Sequence, residues 1–134
     1  MVREVVKYKD FDGNDKTDVL YFNLTKAECM EMELSPDGGI EQMARDIAET
    51  QDHKQVIRII KRFLLAAYCE RTDDGKGIIK TPDRTAAFAA SEAYSELFMS
   101  LANDGDRLAK FFNGVLPFVP EENKPEVLEG TVSI

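Results

Sequence analysis

One histidine, two cysteines and no long apolar run leave this 134-residue chain with little of what most catalytic or membrane-bound proteins use. With His53 alone, triads, histidine-rich metal sites and imidazole acid–base chemistry have almost nothing to work with. Cys29 and Cys69 stand far apart, without a CxxC or Cys/His framework, and read as small free hydrophobes rather than disulfide partners or zinc ligands. Neither a metal nor a cofactor is therefore expected. No stretch approaches the roughly 20 apolar residues that span a bilayer. The opening "MVREVVKYKDFDG" also lacks the apolar core and small-residue cleavage pattern of a secretory signal, so a soluble, intracellular protein with no membrane partner is expected. Basic charge is scarce as well: 17 Lys and Arg against 25 Asp and Glu give a formal charge of -8, which repels nucleic acid unless a basic face is segregated. The tightest basic group, Lys54, Arg58, Lys61 and Arg62, falls on the polar side of an apolar helical run and reads as its solvated stripe. Nucleic acid is not an expected partner.

A hydrophobic content of 43% is enough for one compact core. The chain opens with alternating apolar and polar residues on either side of "DGND", and the Asp, Gly and Asn around Asp12–Asp15 suit a hairpin turn. Two strands are not stable alone in water, so Val6, Tyr8, Val19 and Tyr21 are expected to lie against helices or to pair with another chain.

The remainder reads as helices. "TKAE" at 25–28 is a capping box, followed by an apolar seam of Ala27, Met30 and Leu34, and "SPDGG" ends that helix. Ile40, Met43, Ala44 and Ile47 repeat at the spacing of one buried stripe. After "DHKQ", the run Val56, Ile57, Ile59, Ile60, Phe63, Leu64, Ala67 and Tyr68 covers more than one face, as a central helix would. Thr81 and Pro82 open the next helix, Pro82 at a position where a missing amide costs nothing. Ala86–Ala90 surround Phe88 with small residues, and Ala93, Tyr94, Leu97, Phe98 and Leu101 resume a strong stripe, with Ser91 either capping a new helix or lying inside a bent one. "NDGD" at 103–106 breaks the run before Leu108, Phe111, Phe112, Val115 and Leu116. The expected fold is mainly α: an N-terminal β-hairpin arm (1–22), a compact bundle of five or six helices (23–118) and a flexible tail (119–134).

Between two of these helices, "DDGKG" at 73–77 superficially suggests a calcium or phosphate loop. It supplies neither the alternating oxygen ligands with a terminal Glu nor the GxxxxGK[ST] span, and turn chemistry explains it better: Gly75 and Gly77 supply positive φ, and Ile78 and Ile79 form a brief extended segment. "DFDGND" fails the calcium pattern because its Gly comes too early. Glu28, Glu31 and Glu33 share a helix without the opposing environments that general acid–base work needs. No catalytic constellation remains, so binding or assembly is expected rather than enzymatic turnover. The candidate contact residues are Tyr94, Phe98, Phe111, Phe112 and Leu116, with core packing as the alternative; Phe111 and Phe112 point about 100° apart, so both are buried only in a broadly covered helix.

Taken in order, "YFNLTKAECMEMELSPDGG", "IIKRFLLAAYCERTDDGKGIIKTPD" and "FAASEAYSELFMSLANDGDRLAKFFNGVLP" resemble the tail assembly chaperones of long-tailed bacteriophages and prophages, from about residue 5 to residue 118. The resemblance implies a small helical protein of virion morphogenesis that binds the tape measure protein, keeps it soluble and helps recruit tail tube subunits. It implies a place in the host cytoplasm and absence from the mature virion, and it supplies no catalytic residues. Self-association through the N-terminal hairpin is a further expectation from its open strand groups. A structural tail or head-tail connector retained in the virion is the alternative.

Overall fold

A computed structural model describes residues 1–118; the tail expected to be flexible, 119–134, lies outside the described residues. Two strands, β1 (Val2–Lys9) and β2 (Asp15–Phe22), precede helices α1 (Lys26–Glu33), α2 (Ile40–Glu49) and α3 (His53–Ala67). Strands β3 (Tyr68–Arg71) and β4 (Ile78–Ile79) follow, then α4 (Pro82–Ala89), α5 (Glu92–Ala102) and α6 (Gly105–Val115). The molecule is mainly helical, with the hairpin leading a bundle of six described helices.

Local chemistry sets most boundaries. At the first turn the Asp10 carboxylate accepts from the Asn14 and Asp12 amides at 2.8 and 3.0 Å, and these bonds hold its pKa below the ordinary value. Thr25 and Glu28 complete the capping box reciprocally. Asp52, Ser91 and Asp104 each accept a backbone amide at the start of α3, α5 and α6, so Ser91 opens a separate helix rather than sitting inside a bent one.

The joint between α3 and α4 is a second hairpin. α3 stops at Ala67, and Tyr68 begins a strand instead of closing the central helix. Strand β3 pairs with β2 through Phe22↔Tyr68 and Tyr21↔Cys69, so the four strands form one antiparallel sheet in the order β1-β2-β3-β4. At its tip Thr72 Oγ1 donates to Asp74 Oδ1 at 2.6 Å, and the same carboxylate accepts from the Lys76 amide at 2.9 Å. Both bonds lower the Asp74 pKa. Only Gly75 takes the left-handed conformation here, at φ 72°; Gly77 does not need it.

One core joins hairpin and helices. Val6, Leu20 and Phe22 enter the same buried cluster as α3, α5 and α6, so the segment 1–22 is a layer of the domain as well as its first element. Phe22 sits at the centre, edge-on to Tyr68, Phe88 and Phe111 with ring centroids 5.2–6.0 Å apart. Of the hairpin residues expected to lie against helices or to pair with another chain, Val6 is buried and Tyr8 packs against the core, whereas Val19 is not covered within the described chain; on α1 the regular apolar seam faces outward. On β2 the buried positions are Leu20 and Phe22, which leaves Val19 on the opposite, exposed side, because successive residues of a strand alternate faces. On α1, Cys29 is buried and Met32 packs against the core, whereas Met30 and Leu34 are 72% and 84% exposed, so the Ala27–Met30–Leu34 seam faces solvent.

Candidate functional site

The five aromatic and aliphatic candidates divide between core and surface. Phe111 and Phe112 are 4% and 2% exposed, and Leu116 is also buried. Their helix packs against α5, α2 and β1 at once, which gives it the broad cover that adjacent buried phenylalanines require. Phe63 meets both rings, at 6.1 Å from Phe111 and 4.6 Å from Phe112. These three residues hold the bundle together and present no contact surface in this conformation. The alternative of core packing is the one the structure adopts for them.

Tyr94 and Phe98 are different. Both are only partly buried, and they line an open groove of about 380 Å³ with Lys61, Ala89, Ser95 and Met99. Tyr94 stands edge-on to Phe88 at 5.2 Å and reaches Phe98 at 5.8 Å, so the groove floor continues into the central aromatic cluster. Burial raises the Tyr94 phenol pKa, leaving the ring uncharged at neutral pH. Met99 is half-exposed on α5, and Ile57 is half-exposed one turn before Lys61 on α3. Lys61 also borders a neighbouring cleft with Arg58, Ile59, Arg62 and Leu65. An apolar floor with a cationic margin results. Such a surface suits an amphipathic helix better than a small polar ligand.

The described residues hold no cluster of three or more His, Cys, Asp or Glu side chains able to bind a metal. Cys29 and Cys69 are both buried free thiols, and burial pushes both pKa values up. None of the described helices is long and apolar enough to cross a membrane.

Pattern reasoning overlooked Lys80. Its Nζ donates to the Asn23 and Ala66 carbonyls at 2.7 and 3.0 Å and to both Glu28 oxygens at 2.9 and 2.8 Å. One ammonium thereby ties together the exit of β2, the end of α3, the first turn of α1 and the segment before α4. Burial alone would raise the Glu28 pKa, but the Lys80 hydrogen bond and the Thr25 amide outweigh it and leave the carboxyl lowered. The three groups lie far apart in sequence, so no spacing signals them; only the capping box marked Glu28 in advance.

The family model for phage tail assembly chaperones matches residues 1–123. No curated protein and no solved structure gives a match. The three sequence blocks, the helical architecture and a family match that runs through every described element agree, and the chain belongs to the phage tail assembly chaperone family.

Proposed function

We propose that this chaperone binds the tape measure protein in the host cytoplasm, keeps its apolar helical stripes from aggregating, helps recruit tail tube subunits and leaves before the virion is complete. Family membership carries this reading. The groove of Tyr94, Phe98 and Met99 supports it physically, because it offers apolar surface on a folded scaffold with a cationic margin at Lys61. Copies associate through the N-terminal hairpin, whose β1 strand lies at an outer edge of the sheet.

The test is affinity capture of the tagged chain from cells producing the cognate tail, with mass spectrometry of the eluate and of purified virions. Tape measure and tube proteins in the eluate, with this chain missing from virions, are the expected result. Retention in virions without those clients would replace the reading with a structural connector.

A further inference from the structure

Helix α3 carries the opposite charge to the rest of the molecule. Its 15 residues include Lys54, Arg58, Lys61 and Arg62 and no Asp or Glu, on a chain whose net charge is -8. At 100° per residue the four cations fall within a sector of about 100°, with Leu65 inside it and half-exposed Ile57 about 40° beyond Lys61. Lys54, Arg58 and Lys61 are exposed, and none of the four pairs with a carboxylate among the described residues.

This row borders the groove of Tyr94, Phe98 and Met99. Lys61 lines both that groove and the neighbouring cleft, and Arg58 and Arg62 line the cleft. Asp37 is the acid beside the cleft, where its carbonyl accepts from Arg62 at 3.5 Å. Among the described residues no acid lines the groove itself. The two acids of α5, Glu92 and Glu96, line a different cleft, with Lys7, Lys9 and Lys16 of the hairpin. Helix α5 thus turns its apolar side chains toward the α3 cations and its carboxylates away from them.

An apolar floor has no use for such sorting, because burial of apolar area is indifferent to the sign of nearby charge. Unpaired cations at its margin add discrimination. They attract a ligand with acids beside its apolar stripe and repel one with lysines there. They also offset locally the repulsion that an acidic molecule exerts on an acidic partner. Lys54, Arg58 and Arg62 recur every fourth residue, about 6 Å of helix rise each time. A helix lying along α3 with Asp or Glu at the same interval meets this row in step. We propose, on the reading that the groove holds the client, that it selects an amphipathic client helix with acidic residues at four-residue spacing along one flank of its apolar stripe. Tyr94, Phe98 and Met99 take the stripe, and the α3 cations take the acids. Segments with basic flanks are left unbound, so contact is confined to the acid-flanked stretches of a long client.

The test titrates the purified full-length chain into two dye-labelled synthetic peptides read by fluorescence anisotropy. The peptides share one length and one apolar stripe and differ only in Glu or Lys at every fourth flanking position. Wild type is expected to bind the Glu peptide at least about tenfold more tightly, equivalent to about 1.4 kcal/mol. Raising salt should shrink that preference. The double variant Arg58→Glu, Lys61→Glu should lose or invert it; both positions are exposed, and circular dichroism checks that the helices remain. Equal binding of the two peptides by wild type overturns the proposal, and so does a preference that survives in the variant. A charge reversal that alters only self-association in sedimentation velocity, or only binding of a labelled single-stranded oligonucleotide, rejects the acidic helix as the occupant. The client reading is separable from this chemistry. If wild type captures no tape measure protein from cells while the peptide preference and its loss in the variant hold, the groove's selectivity stands and the client reading fails. If wild type and variant capture the tape measure protein equally, the chaperone reading stands and selection by acidic flanks is rejected.

Discussion

Two kinds of side chain decide whether a substitution disables this protein or only its contacts. Phe112 packs against Phe63 inside the core, so Phe112→Ala removes buried aromatic area and leaves a cavity; a loss of about 3–5 kcal/mol is expected, read as a lower urea midpoint. Met99→Asp, on the rim of the groove, should stay within about 0.5 kcal/mol of wild type yet weaken client capture. Equal loss of stability in both would remove the distinction between core and groove.

Lys80 is the second decisive residue. Its side chain and that of Glu28 are 20% and 31% exposed, so the pair is sheltered beyond an ordinary surface ion pair. Lys80→Met leaves two carbonyls and a carboxylate without their donor and should cost about 1–3 kcal/mol. The pH dependence has a definite sign. A carboxyl lowered in the folded state binds fewer protons than in the unfolded chain, so its stabilisation is present above the ordinary carboxylate pKa and is lost as pH falls through the depressed folded value. The difference in urea midpoint between wild type and Glu28→Gln should be largest near neutrality and shrink on acidification. A difference independent of pH would contradict the ionic role of Glu28.

At the scale of elements, the turn between β3 and β4 separates two glycines that look equivalent in sequence. Gly75→Ala forces a Cβ onto a residue at φ 72° and should cost about 1 kcal/mol, whereas Gly77→Ala meets only ordinary contact with Thr72 and should be nearly neutral. Thermal unfolding of the two variants checks this, and equal losses would show that both positions need the glycine. The capping box at Thr25 was legible in advance because its signal is local, a hydroxyl and a carboxylate each reaching an amide three residues away; the Ser91 cap was one of two readings, and Thr81, expected as a cap, makes no side-chain cap hydrogen bond although α4 starts beside it at Pro82. Which parity of β2 and which side of α1 turn inward was not legible. Val19 and Leu20 are both good strand residues, and periodicity alone does not say which parity turns inward. On α1 an equally regular seam, Ala27, Met30 and Leu34, points to solvent, because the capping box and Lys80 anchor the opposite side through Glu28.

For the whole molecule, the hairpin shares one buried core with the helices. Deleting residues 1–22 removes Val6, Leu20 and Phe22, the last of which touches three other rings, so the truncated chain should lose cooperative unfolding rather than only its association. A truncation that still unfolds cooperatively near the wild-type midpoint would show the hairpin to be an independent arm. The same integration places the groove of Tyr94 and Phe98 on the rim of the aromatic core, where Tyr94 packs edge-on against Phe88.

The amino-acid sequence by itself determined the helical class, the leading hairpin, most helix starts and the chaperone family, because capping, turn chemistry, apolar spacing and the order of the three blocks are properties of neighbouring residues. Tertiary structure alone decided that the inter-helical joint extends the sheet, that Phe111, Phe112 and Leu116 are core while Tyr94 and Phe98 line a groove, and that Lys80 binds three distant segments. The physical reason is common to all three. Burial, strand pairing and a shared ammonium depend on which surfaces meet after the chain has closed on itself, and residues far apart in sequence carry no local sign of that meeting.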